Sequence, residues 1–493
     1  MEEETQKQQV QVATETEEQS ALDRIIQEGR MARVEEQEDY ARDLVGEFIE
    51  QVLNEDLTVS SDILDAIEQR IAEIDELLTE QVNEVLHAEA FQDLESSWRG
   101  LAHLVFNTET SQTLKLRLMN ASKEELLDDM ERAVEFDQSN LFKKVYEEEY
   151  GTFGGSPYGL LVGDYEFGRS SRDMALVEGV ASVASSAHAP FITSPAPELF
   201  DMDDWTELDK PRDLAKVLES TELTKWHAFR ESEDSRYVAM TLPRMLLRHP
   251  YDPENNPASD FEFIENVDGR DHSKYLWGNA SYALAERMTN AFAKYNWCAA
   301  IRGVEGGGLV EDMPVHTFKT DDGDIAMKCP TEVAITDRRE NELSDLGFIS
   351  LVHNKETNKA AFFGAQTANK PKVYDTHEAT ANAALSARLP YIMASSRFAH
   401  YIKAIVRDKV GSFQSKDDLS TFMNRWINQY TLGKDDAGQE LKAQYPLREA
   451  RVDVVEKPGK PGSYNATVFV RPHFQLEELT ASIRMVADLP EPA

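Results

Sequence analysis

The chain has 493 residues, of which 41% are apolar and 29% charged, and its formal net charge is −39. A chain of this length holds about two to four domains at ~150 residues each. The acidity excludes a nucleic-acid-binding protein, because phosphate binding needs clustered lysine and arginine. Neither a membrane span nor a signal peptide is recognisable. With only Cys298 and Cys329 present, we expect a soluble protein of the reducing cytoplasm.

More than half of the acidic excess lies in the first fifth of the chain. Residues 1–100 contain 28 acidic and 7 basic side chains, a net charge of −21. Residues 1–20 contain almost nothing that could pack, so we expect a disordered acidic arm there. The acidic stretch is typical of a solvated surface that aids solubility and equally of a partner-binding region, and the sequence favours neither.

Two helices are predicted in a partner-binding region that we assign to residues 21–105. The second helix begins after Ser61, a suitable N-cap. Its apolar residues step by three and four, and they are Leu64, Ile67, Ile71, Ile74 and Leu78. This pattern, named here the α2 seam after the second predicted helix, which is labelled α2, is close to that of a coiled coil, which needs a partner helix. The alternative is packing onto the chain's own core, but two acidic helices have little apolar surface to share with each other.

Residues 106–375 mix strand and helix patterns, which indicates an α+β (mixed α/β) body. Alternating apolar residues predict a strand at 113–118, and further strand signals occur at 332–336, 348–353 and 360–364. The pair Ser122 and Glu125 is typical of a capping box at the start of a helix. A longer helix is predicted from about residue 276 to 300.

Residues 376–493 are predicted to contain helices followed by linking strands. A helix at about 391–410 carries apolar residues on one side and a basic face on the other. The basic residues are Arg397, His400, Lys403 and Arg407. In so acidic a chain this basic face is conspicuous. It indicates either local pairing with the protein's own acids or an interface, formed by Arg397, Lys403 and Arg407, with another protein.

The C-terminus is predicted to form three strands. Two of them, at 451–456 and 464–470, flank the sequence KPGKPG, a strong hairpin turn. The third follows from a period-two pattern whose apolar positions include Leu479, Ala481, Ile483 and Met485. Eleven residues at ~3.3 Å each reach about 36 Å, longer than an ordinary strand. Such a strand either pairs internally or adds to the sheet of a neighbouring subunit.

The sequence contains no recognisable catalytic, cofactor or metal motif. The glycine-rich stretch GVEGGG at 303–308 lacks the lysine and hydroxyl residue that end a phosphate-binding loop. Cys298 follows Trp297 in an apolar stretch, where an inert thiol is expected. We therefore predict a protein that is not an enzyme and uses no cofactor. A hydrolase or nucleotide-using enzyme with dispersed catalytic residues remains the alternative, and a free-standing helical adaptor is a third hypothesis.

Several segments together resemble one family, the large contractile-sheath subunit of bacterial type VI secretion systems, known as VipB, TssC or ImpC. In chain order the segments are HAEAFQDLESSWRGL (87–101), YGTFGGSPYG (150–159), FRESEDSRY (229–237), LPRMLLRHPY (242–251), YLWGNA (275–280), CPTE (329–332), LGF (346–348) and LPYIMASSRF (389–398). Their order and spacing extend over nearly the whole chain. The segments are structural signatures rather than reactive motifs.

The resemblance implies a structural subunit with a core like that of phage tail sheaths, an N-terminal helical region and C-terminal β strands. Its implied partners are a small sheath subunit (VipA/TssB type), other copies of the chain, an inner-tube ring protein (Hcp type), a baseplate and an AAA+ unfoldase that dismantles the sheath. Copies carrying −39 each repel one another at short range, since a Debye length of ~8 Å screens only distant charges. We therefore expect the acidic N-terminal region on the outer surface and the basic patches at interfaces.

Overall fold

The computed structural model describes residues 37–53, 63–210, 212–253, 256–258, 261–320, 322–412, 415–434, 436–459, 464–473 and 475. The chain divides into two compact units. One comprises Met1–Glu84 with Asp252–Ile264, and the other comprises Val85–Tyr251 with Glu265–Ala493. Within the described ranges, no helix combines the length and the apolar character that crossing a membrane requires.

The helices are distributed along the whole described chain. They are α1 (Glu38–Leu53), α2 (Ile63–Leu86), α3 (Glu89–Phe106), α4 (Lys123–Arg132), α5 (Asn140–Phe142), α6 (Ser171–Ala187), α7 (Leu214–Leu218), α8 (Thr224–Glu231), α9 (Ser281–Tyr295), α10 (Asp337–Asp345), α11 (His377–Ser386), α12 (Leu389–Lys409), α13 (Lys416–Ile427) and α14 (Gln439–Gln444). A π-helix, Lys143–Tyr150, continues α5. Helices α1 and α2 confirm the two helices that apolar spacing predicted near the N-terminus. The predicted acidic arm at 1–20 lies outside the described residues.

The strands begin after residue 160. They are β1 (Leu161–Phe167), β2 (Phe191–Pro195), β3 (Val238–Leu242), β4 (Met245–Leu246), β5 (Trp277–Gly278), β6 (Leu309–Val310), β7 (His316–Lys319), β8 (Ile325–Lys328), β9 (Ile349–His353), β10 (Ala360–Phe362), β11 (Leu447–Glu456) and β12 (Tyr464–Pro472). With the helices they make a mixed α/β fold, as the sequence predicted. The pairs β4–β5, β7–β8 and β11–β12 each form a two-stranded sheet.

A six-stranded sheet in the order β1-β2-β3-β9-β10-β6 is the centre of the second unit. Strands β1, β2, β3 and β9 run parallel to one another, and β10 is antiparallel to both β9 and β6. Strand β2 illustrates how the two faces are covered. Phe191 packs in the cluster that contains residues of α6, whereas the next residue, Ile192, packs in the cluster that contains residues of α9. Successive side chains of a strand point to opposite faces, so both faces of this sheet are buried.

Local side-chain signals set the starts of two helices, one of which was predicted; the predicted N-cap Ser61 lies outside the described residues. Ser122 caps α4, accepting a hydrogen bond from the Glu125 backbone N–H while the Glu125 carboxylate accepts one from the Ser122 backbone N–H. Ser170 caps α6 in the simpler way, through its hydroxyl. These caps satisfy backbone donors that a helix otherwise leaves unpaired. The predicted capping box is confirmed.

Other local predictions were wrong in detail. Burial alternates over residues 113–117 and 333–336, yet neither of the predicted strands at 113–118 and 332–336 forms. Leu116 packs against the core while Leu118 is exposed. Alternation reports which side chains are buried and does not supply the hydrogen-bonded partner that a strand needs. The helix predicted at 276–300 is shorter, because Asn296 takes a left-handed conformation (φ 63°) that ends α9.

The C-terminal part of the described chain has a core of its own. Trp297 stacks on Phe398 of α12 with ring centroids 4.4 Å apart. Helix α13 and the β11–β12 hairpin complete this core with Met423, Ile427, Leu447, Val452 and Val454. The antiparallel pairing of β11 with β12 confirms the predicted hairpin.

Candidate assembly surfaces

Helix α3 carries apolar residues on two sides, and only one side is buried within the chain. On the buried side, Gly100 allows close approach to α9, since a Cβ atom at this position would lie 2.4 Å from the Tyr282 ring. Leu104 is buried nearby. The other side is exposed and is named here the outer stripe of α3. Its members are Phe91, Leu94, Trp98, Val105 and Phe106.

The outer stripe is unusual for a protein surface. Trp98 is 61% exposed and Phe106 is 86% exposed, whereas tryptophan and phenylalanine are mostly buried in folded proteins. Phe91, Leu94 and Trp98 are spaced by three and four residues, so they form one row along the helix. Large contiguous apolar patches mark interaction sites. Sequence reasoning missed this surface, although Trp98 lies in the first segment of the family resemblance.

An ion-pair network fixes α3 within the second unit. The buried Arg248 guanidinium donates to Glu95 of α3 at 2.9 Å and also binds the buried Glu265 carboxylate. Glu95 in turn accepts from Arg99, one helical turn further along, at 2.6 Å. Burial opposes the charge of Arg248, but Glu265 and Glu95 outweigh it, so the pKa of Arg248 is raised. The outer stripe therefore lies on a helix whose position is fixed by these ion pairs.

The α2 seam lies on α2 as predicted, and its described side chains are exposed. Ile71 is 53%, Ile74 43% and Leu78 41% exposed. Leu64 and Ile67 fall inside the helix, but their side chains are outside the description. Leu77, which the sequence pattern did not include, is also exposed. That this seam receives a partner helix stays a prediction.

The predicted basic face lies on α12 and contacts the chain itself. The Lys403 ammonium is 3.4 Å from the centroid of the Tyr150 ring. Arg407 donates to the Thr152 carbonyl at 2.6 Å and to the Tyr150 carbonyl at 3.0 Å. The Arg397 guanidinium lies 4.8 Å from the centre of the Tyr401 ring.

These partners are aromatic rings and backbone carbonyls rather than the acidic side chains considered from the sequence. Arg397, Lys403 and Arg407 each keep part of their surface exposed, so their role in an interface stays a prediction.

His400 does not belong to that exposed face, contrary to the helical projection. It is buried and its Nε2 pairs with the Ala187 carbonyl at the end of α6 at 2.8 Å. Burial lowers the pKa of His400 to about 4. Burial also lowers the pKa of His188, whose ring is 6.3 Å away, and raises the pKa of Tyr150 to about 12. All three side chains are therefore neutral at physiological pH, and they fasten α12 to α6.

The C-terminal hairpin presents sheet edges. Within the described residues β11 and β12 pair with each other, and Leu447 makes one further bridge to Thr431. The predicted linking-strand residues, Leu479, Ala481, Ile483 and Met485, lie outside the described residues. Their role stays a prediction.

The two cysteines have different environments. The Cys298 thiol approaches the Met288 carbonyl at 3.5 Å, and burial raises the pKa of Cys298 to about 12. This agrees with the inert thiol predicted there. Cys329 is 3.1 Å from the Thr331 hydroxyl. Burial opposes its thiolate, but hydrogen bonds from His353 and Thr331 outweigh burial and lower the pKa of Cys329.

One group of described side chains has the donor types and spacing that a metal ion requires. Asp204, His272 and Glu332 each bring one ligand atom within 4.8 Å of the others. The sequence motifs gave no sign of it, because the three residues are far apart in the chain.

Comparison with solved structures finds contractile injection machines at low identity. A chain of the anti-feeding prophage baseplate has a TM-score of 0.36 at 11% identity, over 64% of this chain and 66% of that chain, just under two thirds of its length. A chain of the sheath complex of an extracellular contractile injection system in the contracted state has a TM-score of 0.32 at 9% identity, over 62% of this chain and 68% of that chain.

Sequence comparison is far more specific. The Pseudomonas aeruginosa "Type VI secretion system sheath protein TssC1" is 50% identical over 444 residues, covering 90% of this chain and 89% of that protein. The family model "EvpB/VC_A0108, tail sheath N-terminal domain" matches residues 68–369. A second model, "EvpB/VC_A0108, tail sheath gpW/gp25-like domain", matches residues 378–489.

These matches span both the α/β body and the C-terminal part of the chain. The family is structural and not enzymatic, which sets aside the hydrolase and nucleotide-enzyme hypotheses. The chain belongs to the VipB/TssC family of type VI secretion sheath proteins and is a structural subunit of a contractile sheath.

Proposed function

We propose that this sheath subunit pairs with a small sheath subunit in the cytoplasm. Copies of the pair then polymerise helically around an inner tube, and the sheath contracts to propel that tube. The observation that carries the pairing step is the outer stripe of α3, a row of large apolar side chains exposed on an anchored helix. Family membership supports the remaining steps.

The outer stripe has the chemistry of an interface core. Burying a large apolar side chain contributes about 1.5–3 kcal/mol, and tryptophan is among the residues enriched at interface hot spots. The α2 seam adds Ile71, Ile74 and Leu78 to the apolar surface that the chain exposes. Each row by itself suits an apolar partner helix from the small subunit, because each has the three-and-four spacing of helix packing.

The linking strand is proposed for the polymerisation step. The C-terminal family match runs to residue 489 and so includes Leu479, Ala481, Ile483 and Met485. A strand added to a neighbour's sheet edge forms main-chain hydrogen bonds that do not depend on the rest of the interface. Such a link survives when packing between subunits changes, which a contracting lattice requires.

The charge distribution limits which surfaces meet. We propose that the acidic region at 21–105 faces outward, that the body at 106–375 builds the wall, and that the part at 376–493 links subunits. The basic residues Arg397, Lys403 and Arg407 then face an acidic neighbour or the tube. A baseplate that starts assembly and an AAA+ unfoldase that dismantles the sheath complete the proposed set of partners.

Pairing is tested by co-expressing the chain with a small sheath subunit and measuring co-purification and tubes in negative stain. The double variant Leu94→Ala with Trp98→Ala is expected to reduce co-purification strongly, because both changes remove large apolar side chains from the outer stripe. Glu89→Ala, an exposed polar position on the same helix, is the matched control and should assemble normally. Normal tubes from the double variant would refute the role of the outer stripe.

Polymerisation is tested by truncation before Leu479, which should leave a heterodimer that forms no tubes. Tubes of normal length from the truncated chain would contradict the linking-strand proposal. Charge reversal at Arg397 and Arg407 tests the basic face. Because Arg407 also binds carbonyls of its own chain, the heterodimer's unfolding midpoint must be measured alongside tube formation. Weakened assembly at an unchanged midpoint is the expected result, and unaltered tubes would rule the face out.

A further inference from the structure

Three segments that are distant in sequence bring an aspartate, a histidine and a glutamate together. Asp204 precedes the short helical turn Trp205–Asp209, His272 begins the turn His272–Lys274, and Glu332 follows the bridge between Thr331 and Met245. One ligand atom of each lies within 4.8 Å of the others. The His272 Nε2 atom is within hydrogen-bond distance of Glu332 Oε1 at 3.0 Å, and this separation also suits two ligands of one small cation.

Glu332 is the member that needs a further partner. Its side chain is 2% exposed. Its Oε2 atom has no hydrogen-bond partner among the residues that the structure describes. A buried carboxylate oxygen without a partner carries a desolvation penalty, and native proteins rarely leave one in that state. A bound cation would remove the penalty.

Arg244 lies beside this group, but its hydrogen bonds go to another carboxylate. The Arg244 Nε and Nη2 atoms bind the two oxygens of Glu166 at 2.6 and 2.7 Å. Its Nη1 atom is 4.0 Å from Glu332, at the limit of an ion pair. Lys328 interacts electrostatically with Glu332 and Asp204. Its Nζ atom lies 5.0 Å from the centre of the Tyr275 ring. The charge of Arg244 is thus shared among Glu166, Glu332 and Asp204. Among the described residues, neither Arg244 nor Lys328 donates a hydrogen bond to Glu332 Oε2.

The two flanking side chains are held in place by other contacts. The His272 ring stacks on Trp277 with centroids 4.7 Å apart, and the Trp277 indole N–H donates to the His272 carbonyl at 3.0 Å. Asp204 Oδ1 accepts from the Thr206 N–H at 2.7 Å. Contacts of this kind fix the orientation of ligands at metal sites.

We propose that Asp204, His272 and Glu332 bind a divalent transition-metal ion of the Zn²⁺ class. One imidazole with two carboxylates suits Zn²⁺ better than Mg²⁺, which prefers oxygen ligands and retains its water. Three protein ligands leave a coordination position for water. The ion would join three chain segments, so its expected role is to stabilise the body of the sheath subunit.

The test is Zn²⁺ binding to the purified full-length chain, by isothermal titration calorimetry and by the shift of the thermal unfolding midpoint. The parent is expected to bind one equivalent of Zn²⁺ and to unfold at a higher temperature with it. His272→Gln, Asp204→Asn and Glu332→Gln should each weaken that binding by at least about tenfold. Asp203→Asn and His377→Gln, at exposed positions of the same residue types, are matched controls and should leave it unchanged.

Three results would overturn the proposal. The first is a parent that binds no Zn²⁺, and the second is equal binding in the parent and in all three ligand variants, which would assign the ion to surface carboxylates. The third is an equal midpoint shift with Mg²⁺, since an imidazole-containing site must discriminate between the two ions. If Glu332→Gln fails to fold, His272→Gln and Asp204→Asn still test Zn²⁺ binding, because both positions are less buried than Glu332.

Discussion

Replacing Gly100 with alanine tests the contact on which the outer stripe of α3 depends. Gly100 lies inside α3 and faces the Tyr282 ring of α9, where an added Cβ would be 2.4 Å from one ring carbon and 2.5 Å from the next. Tyr282 is buried and its side chain is hydrogen-bonded to Asp164. The ring therefore cannot swing aside freely, and either the helix or the ring must shift.

The expected change in the free energy of unfolding has two parts of opposite sign. An extra methyl group in a well-packed contact costs about 1–3 kcal/mol. Exchanging glycine for alanine inside a helix contributes about 1 kcal/mol in the other direction. Because the contact is with a rigid ring, we expect the steric part to dominate and the net loss to be on the order of 1–2 kcal/mol.

The measurement is urea unfolding of the full chain, followed by circular dichroism and tryptophan fluorescence. Gly46→Ala is the matched control, because Gly46 lies inside α1 and a Cβ atom there meets nothing within 4 Å. This control should keep or raise stability. Tyr282→Leu should relieve the contact, so the double variant with Gly100→Ala should lose less than the sum of the single changes. A Gly100→Ala chain as stable as its parent would refute the close packing of α3 on α9.

Three further predictions concern buried charges and thiols. The pKa of Cys329 is lowered and the pKa of Cys298 is raised, so iodoacetamide should alkylate Cys329 faster than Cys298 at pH 7. Equal alkylation rates, measured by mass spectrometry, would contradict this. Glu265→Gln leaves the charge of Arg248 partly uncompensated and should lower the free energy of unfolding by about 3 kcal/mol, whereas no change in urea unfolding would contradict the network. His400 has a folded pKa of about 4, so the unfolded chain binds its proton first. Its stabilising contribution should be complete above about pH 6.5 and be lost towards pH 4; a His400→Gln chain with the parent's pH dependence of unfolding would contradict this.

The sequence alone determined the features that depend on neighbours in the chain. The capping box of Ser122 and Glu125, the helices α1 and α2 and the β11–β12 hairpin all follow from residues within a few positions of each other. The family follows in a similar way, because segments such as 87–101 and 389–398 keep their order and spacing over the whole chain. Local geometry and the order of motifs can be predicted without knowing which helices and strands pack against each other.

Tertiary structure decided the features that depend on distant partners. Residues 113–118 alternate like a strand, but among the described residues they pair with no strand. Helical projection put His400 on the basic face of α12, but the end of α6 covers it and keeps it neutral. Trp98 is exposed because the chain packs against the opposite side of α3, the side that carries Gly100.

The same reason explains why sequence reasoning did not find the candidate metal site. Asp204, His272 and Glu332 form no motif, since each belongs to a different segment and the fold alone brings them together. Burial, charge balance and ligand geometry are properties of that arrangement. They arise when distant segments exclude water from a common space, and one-dimensional spacing does not encode which segments will do so.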